Sequence, residues 1–270
     1  MRITFLGGGN MAAALIGGLI ERGFAREALQ AVDLSPDART ALSDRFGVRA
    51  VESLDEAALE CDVLVLAVKP QHMRDALAPL AGRLGSQLVL SIAAGIRMEA
   101  LSRWLGGYRR IVRAMPNTPA LIGAGAAGLI ADNDVTDGDR DAASSILGAV
   151  GSVVWLTDET QIDAVTALSG SGPAYVFYFI EALIEGGEAL GLPRDTARTL
   201  AIDTVLGAAR LAAASDEDAA TLRARVTSKG GTTAAALGAM EEAGFKALIA
   251  RALVAAETRG RAMGEELGRD

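Results

Sequence analysis

Two glycine-rich stretches hold the residues whose types and spacing could do chemistry, and the first is GGGNMA at residues 7–12. It fits G-x-G-x-x-A, the pattern of a dinucleotide-binding loop that follows a strand and opens a helix. Glycines at the first and third positions permit a tight turn and the close approach of a pyrophosphate, and the helix N-terminus adds N–H groups and a positive dipole. We therefore predict that the phosphates are bound by Gly7, Gly8, Gly9, Asn10 and Met11.

The second stretch, SKGGTT at residues 228–233, lies in a half of the chain that otherwise has helical patterns. A Walker-type phosphate loop places its lysine after its last glycine and follows a strand, and neither holds here. Hydroxyls and amides freed by glycines suit a carboxylate and a C=N group instead. The alternative is an interhelical turn with Thr232 as N-cap. We predict a substrate cradle made of Ser228, Gly230, Gly231, Thr232 and Thr233.

The end of the second predicted strand bears on which dinucleotide is bound. Asp33 stands where an acid accepts a ribose 2′-OH and favours NAD, although it could equally be a turn or helix-capping acid. Ser35 and Arg39 follow at once, and either could contact the 2′-phosphate of NADP. These residues leave the choice between the two dinucleotides open.

Three further loops follow apolar runs of strand length: residues 67–70, 93–95 and 115–119. Ligands bind at the carboxyl ends of the strands in open α/β sheets, and small residues there let a cofactor lie against backbone. Lys69 precedes Pro70, so it positions a loop at least as plausibly as it takes part in chemistry. The one histidine, His72, fits a loop residue better than an acid or base.

Patterns of hydrophobicity divide the chain into two parts. Strand-like apolar runs occur at residues 2–6, 29–33, 63–68, 88–95, 110–119, 125–131 and 152–156, and helical patterns such as residues 35–47 alternate with them. This alternation predicts a parallel, doubly wound sheet. From Asp163 onward we find helical patterns only, at residues 175–191, 194–213 and 232–267. We expect an α/β Rossmann domain over residues 1–160 and an all-helical domain over residues 161–270.

The helices of the second part are apolar on more than one face. A helix that is apolar around much of its girth should be buried. A helical domain of this length buries only part of that surface alone, so we expect it to be a dimerisation domain that forms a homodimer through residues 163–270.

Composition excludes several classes of function. A net charge of −8 and 4% aromatic residues argue against binding to nucleic acid. One cysteine and one histidine exclude a Cys/His metal site and a disulfide within the chain, so we predict no metal and a reduced, cytoplasmic setting. We see no signal peptide and no uncharged run of the length that a bilayer needs, so we expect no membrane contact.

The residues that a carbonyl reductase would require help to decide which class of substrate this chain reduces. The 3-hydroxyacid dehydrogenases resemble this chain in architecture and in a glycine loop, here residues 168–175, that opens the first long helix. Their proton-donating lysine lies about one turn into that helix, and residues 174–178 here contain none. This argues against a ketone or hydroxyacid, because an oxyanion needs a strong proton donor. A protonated cyclic imine carries its own proton and needs only to be held and oriented.

The chain resembles the pyrroline-5-carboxylate reductase family over nearly its whole length. The segments that carry the resemblance are FLGGGNMAAALIGGL, LAVKPQ, SIAAG, RAMPNTPA, ALSGSGPAYVF and VTSKGGTT. The resemblance implies reduction of 1-pyrroline-5-carboxylate to L-proline, usually with NADPH and sometimes with NADH. It also implies a helical dimerisation domain and dimers that often assemble into decamers. A non-catalytic nucleotide-sensing dimer would have no reason to keep both GSGPAY and SKGGTT.

The same resemblance implies roles for single residues. Thr233 is the expected catalytic residue, hydrogen-bonded to the ring nitrogen or carboxylate of the substrate, and Glu159 is an expected substrate contact. The family often has proline where this chain has Lys229, whose role the sequence leaves open. The cofactor contacts that the resemblance implies beyond the glycine loop are Ala67, Val68, Lys69, Pro70, Ala93, Ala94, Gly95 and Asn117. Ser35 is added to them because it follows the second predicted strand.

Overall fold

The computed structural model describes residues 1–269, and its centre is an eight-stranded sheet in the order β3-β2-β1-β4-β5-β6-β7-β8. The strands are β1 Ile3–Leu6, β2 Leu29–Val32, β3 Arg49–Val51, β4 Val63–Leu66, β5 Leu88–Ser91, β6 Ile111–Met115, β7 Gly125–Ala131 and β8 Gly151–Trp155. Strands β1 to β6 pair in parallel. This is the doubly wound Rossmann sheet that the alternation predicts, and the predicted strands are confirmed apart from their bounds.

The prediction of an all-parallel sheet is wrong at one pair, because β7 runs antiparallel to β6. The link between them, residues 116–124, holds only a short 3₁₀ helix, Thr118–Ile122. A parallel pairing needs a crossover connection of a dozen or more residues, so the chain turns back instead. Strand β3 is also absent from the prediction, since RAV is short and Arg49 is exposed.

Helices cover both faces of this sheet. They are α1 Asn10–Glu21, α2 Pro36–Phe46, α3 Glu56–Leu59, α4 Met73–Leu77, α5 Met98–Trp104 and α6 Asp137–Gly148. On one face Ile3 and Phe5 of β1 pack with Leu15 and Leu19 of α1. On the other face Leu6 packs in the cluster that contains α4 and α5. Strands buried on both faces explain the continuous apolar runs in the sequence.

Local signals determine the bounds of α2. Ser35 is its N-cap, with a hydroxyl that accepts a hydrogen bond from the Ala38 N–H at 3.3 Å. Pro36 occupies the first helical position, and Gly47 ends the helix with φ of +68°. All three features are the expected ones.

The C-terminal part is helical, as predicted, but its helices differ in detail. They are α7 Gln161–Val165, α8 Gly172–Ala189, α9 Arg194–Ala213, α10 Ala219–Arg225, α11 Thr232–Glu242 and α12 Phe245–Leu267. The predicted single helix over residues 232–267 is wrong, because it breaks at Gly244, whose φ is +69°. The helix α10 has no counterpart in the prediction.

The prediction that residues 168–175 form a loop is also wrong, because the chain is helical through most of this segment. A π-helical turn, Thr166–Gly170, joins α7 to α8. The Ser171 N–H donates to the Thr166 carbonyl at 2.8 Å, and the Thr166 hydroxyl donates to the Ile162 carbonyl at 2.7 Å. The helical run Gln161–Ala189 is long and apolar enough to cross a membrane by length and composition alone, and a helix of a soluble protein can pass that test as well.

Contacts divide the chain into two compact units. The first contains Met1–Ser171 and the residues from Ala255 onward, and the second is Gly172–Val254. The end of α12 packs in the first unit, where Leu267 joins the cluster beside α4 and α5. The division into domains at residues 160 and 161 stays a prediction.

Candidate active site

The glycine loop after β1 is a tight turn pressed against the loop after β4. Gly7 has φ of +107°, and its N–H donates to the Val32 carbonyl at 2.7 Å. A Cβ on Gly7 would lie 2.6 Å from the Ala67 carbonyl carbon and 2.7 Å from the Val68 nitrogen. Apart from atoms of its immediate chain neighbours, no described atom lies within 4 Å of where a Cβ on Gly9 would stand. The turn therefore needs glycine at position 7, and the space over Gly9 is open for a ligand.

The N-terminus of α1 offers unpaired donors to that space. Its N-cap is Gly9, in extended conformation, and no described side chain caps it. Its first turn, from Asn10, contains no acidic residue. The first N–H groups of a helix have no partner inside it, and the helix dipole makes this end positive. Gly9, Asn10 and Met11 therefore fit the pyrophosphate of a dinucleotide.

The sheet topology brings three of the other predicted loops to the same edge. Strands β1, β4, β5 and β6 are parallel neighbours, so the loops after them lie together at their carboxyl ends. Lys69 is exposed and precedes a 3₁₀ helix, Pro70–His72, without capping it through its side chain. Gly95 has φ of +76°, and the end of α12 approaches it, since a Cβ there would lie 3.4 Å from Leu267 Cδ1.

Asn117 binds protein groups with both ends of its amide. Its Nδ2 donates to the Ser169 carbonyl at 3.2 Å and to the Ser169 hydroxyl at 3.1 Å. Its Oδ1 accepts from the Ala126 N–H at 2.8 Å. Asn117 thus ties the end of β6 to β7 and to the π-helical turn. Asn117 is predicted to contact the cofactor, and in this structure its side chain holds the surrounding loops together.

Ser169 and Gly170 are residues of this edge that sequence reasoning did not select. A Cβ on Gly170 would lie 2.5 Å from Met115 Cε, so the turn packs tightly on the end of β6. The available signal was the segment ALSGSGPAY, whose small residues fit that close contact.

Glu159, the predicted substrate contact, accepts two hydrogen bonds from protein. Its Oε1 accepts from Arg113 Nη1 at 2.8 Å and from the Met98 N–H at 2.8 Å. The Arg113 side chain is 2% exposed, and its Nε has no described hydrogen-bond partner. Burial lowers the pKa of Arg113, and the charge and hydrogen bond of Glu159 oppose that shift. A second ion pair, Arg97 to Asp163 at 3.0 Å, lies beside this one.

The predicted cradle in the second unit is a turn that opens α11. Gly230 has φ of +72°, and the Gly231 N–H donates to the Ser228 carbonyl at 3.1 Å. Gly231 is the N-cap, with no described side-chain cap, so Thr232 is not the N-cap, although the segment does form a turn between α10 and α11. Thr232 begins the helix, and Thr233 is half-buried.

The cradle has the chemical groups that a carboxylate needs. The first turn of α11 contains no acidic residue, and the N–H groups from Thr232 onward have no partners within the helix. A Cβ on Gly231 would lie 2.4 Å from the Ser228 hydroxyl oxygen, so the hydroxyl closes tightly over the glycine. Lys229 is exposed. The described residues contain no group of three His, Cys, Asp or Glu side chains that could bind a metal.

A Rossmann sheet, a glycine turn and an uncapped helix N-terminus indicate a dinucleotide-binding protein, and the comparisons identify the class as an oxidoreductase. Residues 2–95 match the family model "NADP oxidoreductase coenzyme F420-dependent", and residues 159–263 match "Pyrroline-5-carboxylate reductase dimerisation". The pyrroline-5-carboxylate reductase of Pseudomonas aeruginosa is 48% identical over 99% of this chain and 98% of its own. The chain belongs to the pyrroline-5-carboxylate reductase family.

Solved structures give the same result. A pyrroline-5-carboxylate reductase from Coxiella burnetii has a TM-score of 0.93 and 42% identity, covering 97% of this chain and 98% of that one. The Plasmodium falciparum pyrroline carboxylate reductase, solved with NADP bound, has a TM-score of 0.86 and 32% identity, covering 98% of each chain. The family membership favours an imine reductase over the hydroxyacid dehydrogenase and the nucleotide sensor.

Proposed function

We propose that this protein reduces 1-pyrroline-5-carboxylate to L-proline, the last step of proline biosynthesis, with NADPH or NADH. The observation that carries the proposal is the 48% identity to a pyrroline-5-carboxylate reductase over 99% of the chain. The two glycine turns support it, because each opens a helix whose first amides are free for an anion.

In the first unit, the glycine loop binds the dinucleotide. Gly7 lets the chain turn onto the Ala67–Val68 backbone, and the N–H groups from Asn10 onward face the pyrophosphate. Asn117 holds the loops at the ends of β6 and β7 in place. When bound, the reduced nicotinamide supplies a hydride. The small residues of the loops after β4 and β5 leave room for its ring.

In the second unit, the turn from Ser228 to Thr233 binds the substrate. The free amides of α11 and the Ser228 and Thr232 hydroxyls bind the carboxylate, and Thr233 is bonded to the ring nitrogen or carboxylate. As the C=N carbon gains hydride, its π electrons move to the already protonated nitrogen, which becomes a secondary amine. No protein group has to donate a proton in this step, which fits the absence of a lysine from residues 174–178.

Glu159 remains a predicted substrate contact. Its Oε1 is held by Arg113 and Met98, which supports a role in holding the fold instead. The two roles predict different consequences of mutation.

The helical part serves dimerisation, which is the stated role of the family model that matches residues 159–263. In α8, Phe177 and Tyr178 are 66% and 74% exposed in the single chain. Covering such side chains favours association. We further propose a decamer of five dimers, located in the cytoplasm, with no membrane or nucleic-acid partner. Light scattering at several concentrations should give a dimer or a multiple of it, and a monomer would contradict the proposal.

The reaction is tested with the purified full-length protein. With pyrroline-5-carboxylate it should consume NADPH and form proline in equal amounts, followed by near-ultraviolet absorbance and by amino-acid analysis. A 3-hydroxyacid with NADP⁺ is the matched negative substrate. Absence of proline would refute the proposal, and turnover of the hydroxyacid alone would favour the dehydrogenase alternative.

A further inference from the structure

The carboxylate of Asp33 is fixed directly against the glycine loop. Its Oδ2 accepts from the Gly8 N–H at 2.6 Å, and its Oδ1 accepts from the Ser35 N–H at 2.8 Å. The residue is half-buried at the end of β2. The negative charge of the Asp33 carboxylate is therefore held in a fixed position, hydrogen-bonded to the glycine loop that binds the phosphates. The alternative of a turn acid accounts for the bond to Ser35 but not for the one to Gly8.

Arg39, the cation on the same segment, is already used by the protein. Its Nη1 donates to the carbonyls of Asp33 at 2.8 Å and Leu34 at 2.9 Å. Its Nη2 lies 3.8 Å from Glu52 Oε2, and its side chain is 21% exposed. Bidentate binding of a phosphate needs free pairs of N–H groups. Arg39 is thus committed to the turn and faces a carboxylate.

The Ser35 hydroxyl accepts from the Ala38 N–H as the cap of α2, which fixes its position and leaves its O–H as a donor. The segment from Asp33 to Arg39 also carries Asp37 in the first turn of α2. Around the end of β2 the chain thus carries the carboxylates of Asp33 and Asp37, and the one guanidinium there, that of Arg39, lies 3.8 Å from the carboxylate of Glu52. This balance favours a hydroxyl over a phosphate as the neighbour of Asp33, since like charges placed together cost free energy.

We propose that Asp33 determines the cofactor selectivity of this enzyme. Its carboxylate accepts the ribose 2′-OH of NADH and disfavours the 2′-phosphate of NADPH, so the chain prefers NADPH less than it would with a neutral residue there. The proposal rests on the proposed dinucleotide role of the glycine loop. Asp33 then discriminates between a dinucleotide with a 2′-OH on its adenosine ribose and one with a 2′-phosphate there.

Calorimetry on the full-length protein tests this with ADP-ribose and 2′-phospho-ADP-ribose, which bind without reacting. The measured quantity is the ratio of their dissociation constants. Asp33→Asn should shift this ratio toward the phosphorylated probe by about 10-fold or more, a change worth about 1.4 kcal/mol. Asp33→Ser removes the same charge with a smaller side chain and should shift the ratio in the same direction. Circular dichroism checks that each variant is folded.

The matched control is Asp44→Asn, which removes an exposed carboxylate from the other end of α2. Its ratio should stay at the wild-type value. An unchanged ratio in both Asp33 variants, or an equal shift in Asp44→Asn, would overturn the proposal. If neither probe binds to the wild type, the dinucleotide role of the loop fails as well, and that outcome differs from an unchanged ratio.

Discussion

Replacing Glu159 distinguishes a residue that holds the fold from one that binds substrate. The Arg113 side chain is 2% exposed and that of Glu159 is 21% exposed, with 2.8 Å between Nη1 and Oε1. Removing one partner of a buried ion pair costs about 3–5 kcal/mol, because the other charge stays buried without compensation. Water reaches Glu159 in part, so we expect the lower end of that range. In Glu159→Gln the free energy of unfolding should fall by about 3 kcal/mol.

A double-mutant cycle separates the charge from the hydrogen bonds. The amide oxygen introduced by Glu159→Gln can still accept from Arg113 and Met98, so the loss in this variant reports mainly the charge. Arg113→Met fills similar space without a charge and leaves a carboxylate that water can reach, so we expect a loss of about 1 kcal/mol. The double variant Arg113→Met/Glu159→Gln contains neither charge, and its stability should recover to within about 1 kcal/mol of wild type.

The measurement is urea unfolding followed by circular dichroism at one fixed protein concentration, because dimerisation makes stability depend on concentration. Steady-state kinetics on the same samples give kcat and KM for pyrroline-5-carboxylate. We expect Glu159→Gln to lower the unfolding midpoint while its KM stays near the wild-type value. If the midpoint is unchanged and KM rises about 10-fold, Glu159 contacts the substrate and the structural role is refuted.

Three further predictions concern the other parts of the site and the fold. Thr233→Ala should lower kcat/KM about 10-fold or more, or about 1.4 kcal/mol, with Thr199→Ala on α9 as a control that leaves it unchanged. Gly7→Ala should abolish calorimetric binding of ADP-ribose, because the new Cβ would lie 2.6 Å from backbone at a φ of +107°; retained binding would contradict the tight turn. Burial raises the pKa of Asp139, but hydrogen bonds from Arg110 and from Thr136, the N-cap of α6, outweigh it and lower that pKa below its usual range. Its stabilisation is therefore present above about pH 4 and lost as pH falls toward the folded pKa, so the stability deficit of Asp139→Asn should shrink below about pH 4 in acid-unfolding curves.

The parts of the fold that could be predicted depend on local sequence. The runs at residues 3–6 and 63–66 indicate buried parallel strands by their hydrophobicity alone. Helix α2 could be bounded within a residue, because Ser35, Pro36 and Gly47 each act on the backbone beside them. The glycine turn at Gly7 could also be predicted from local sequence, because a positive φ depends on the identity of that one residue.

The remainder depends on partners that are distant in sequence. Glu159 and Arg113 are an ordinary acid and base until the sheet brings them together, and nothing near either residue indicates the other. The bond from Gly8 to Asp33 likewise appears only once β1 and β2 are paired. The direction of β7 follows from the length of its link, which hydrophobic patterns do not report. Long-range pairing therefore explains most of what the sequence reasoning missed.

The way the helices begin connects the fold to the site. Among the described helices α1 to α7 and α9 to α11, each has a side-chain cap or an acidic residue in its first turn, except α1 and α11. An N-cap side chain such as Ser or Asp typically adds about 1 kcal/mol over alanine. At Gly9 and Gly231 such a side chain would occupy the donors that an anion needs. Within this set of ten, the two exceptions are the helices that follow the two glycine motifs, as expected if bound pyrophosphate and carboxylate satisfy their first amides instead. The helices α8 and α12, outside this set, likewise have no acidic residue in the first turn.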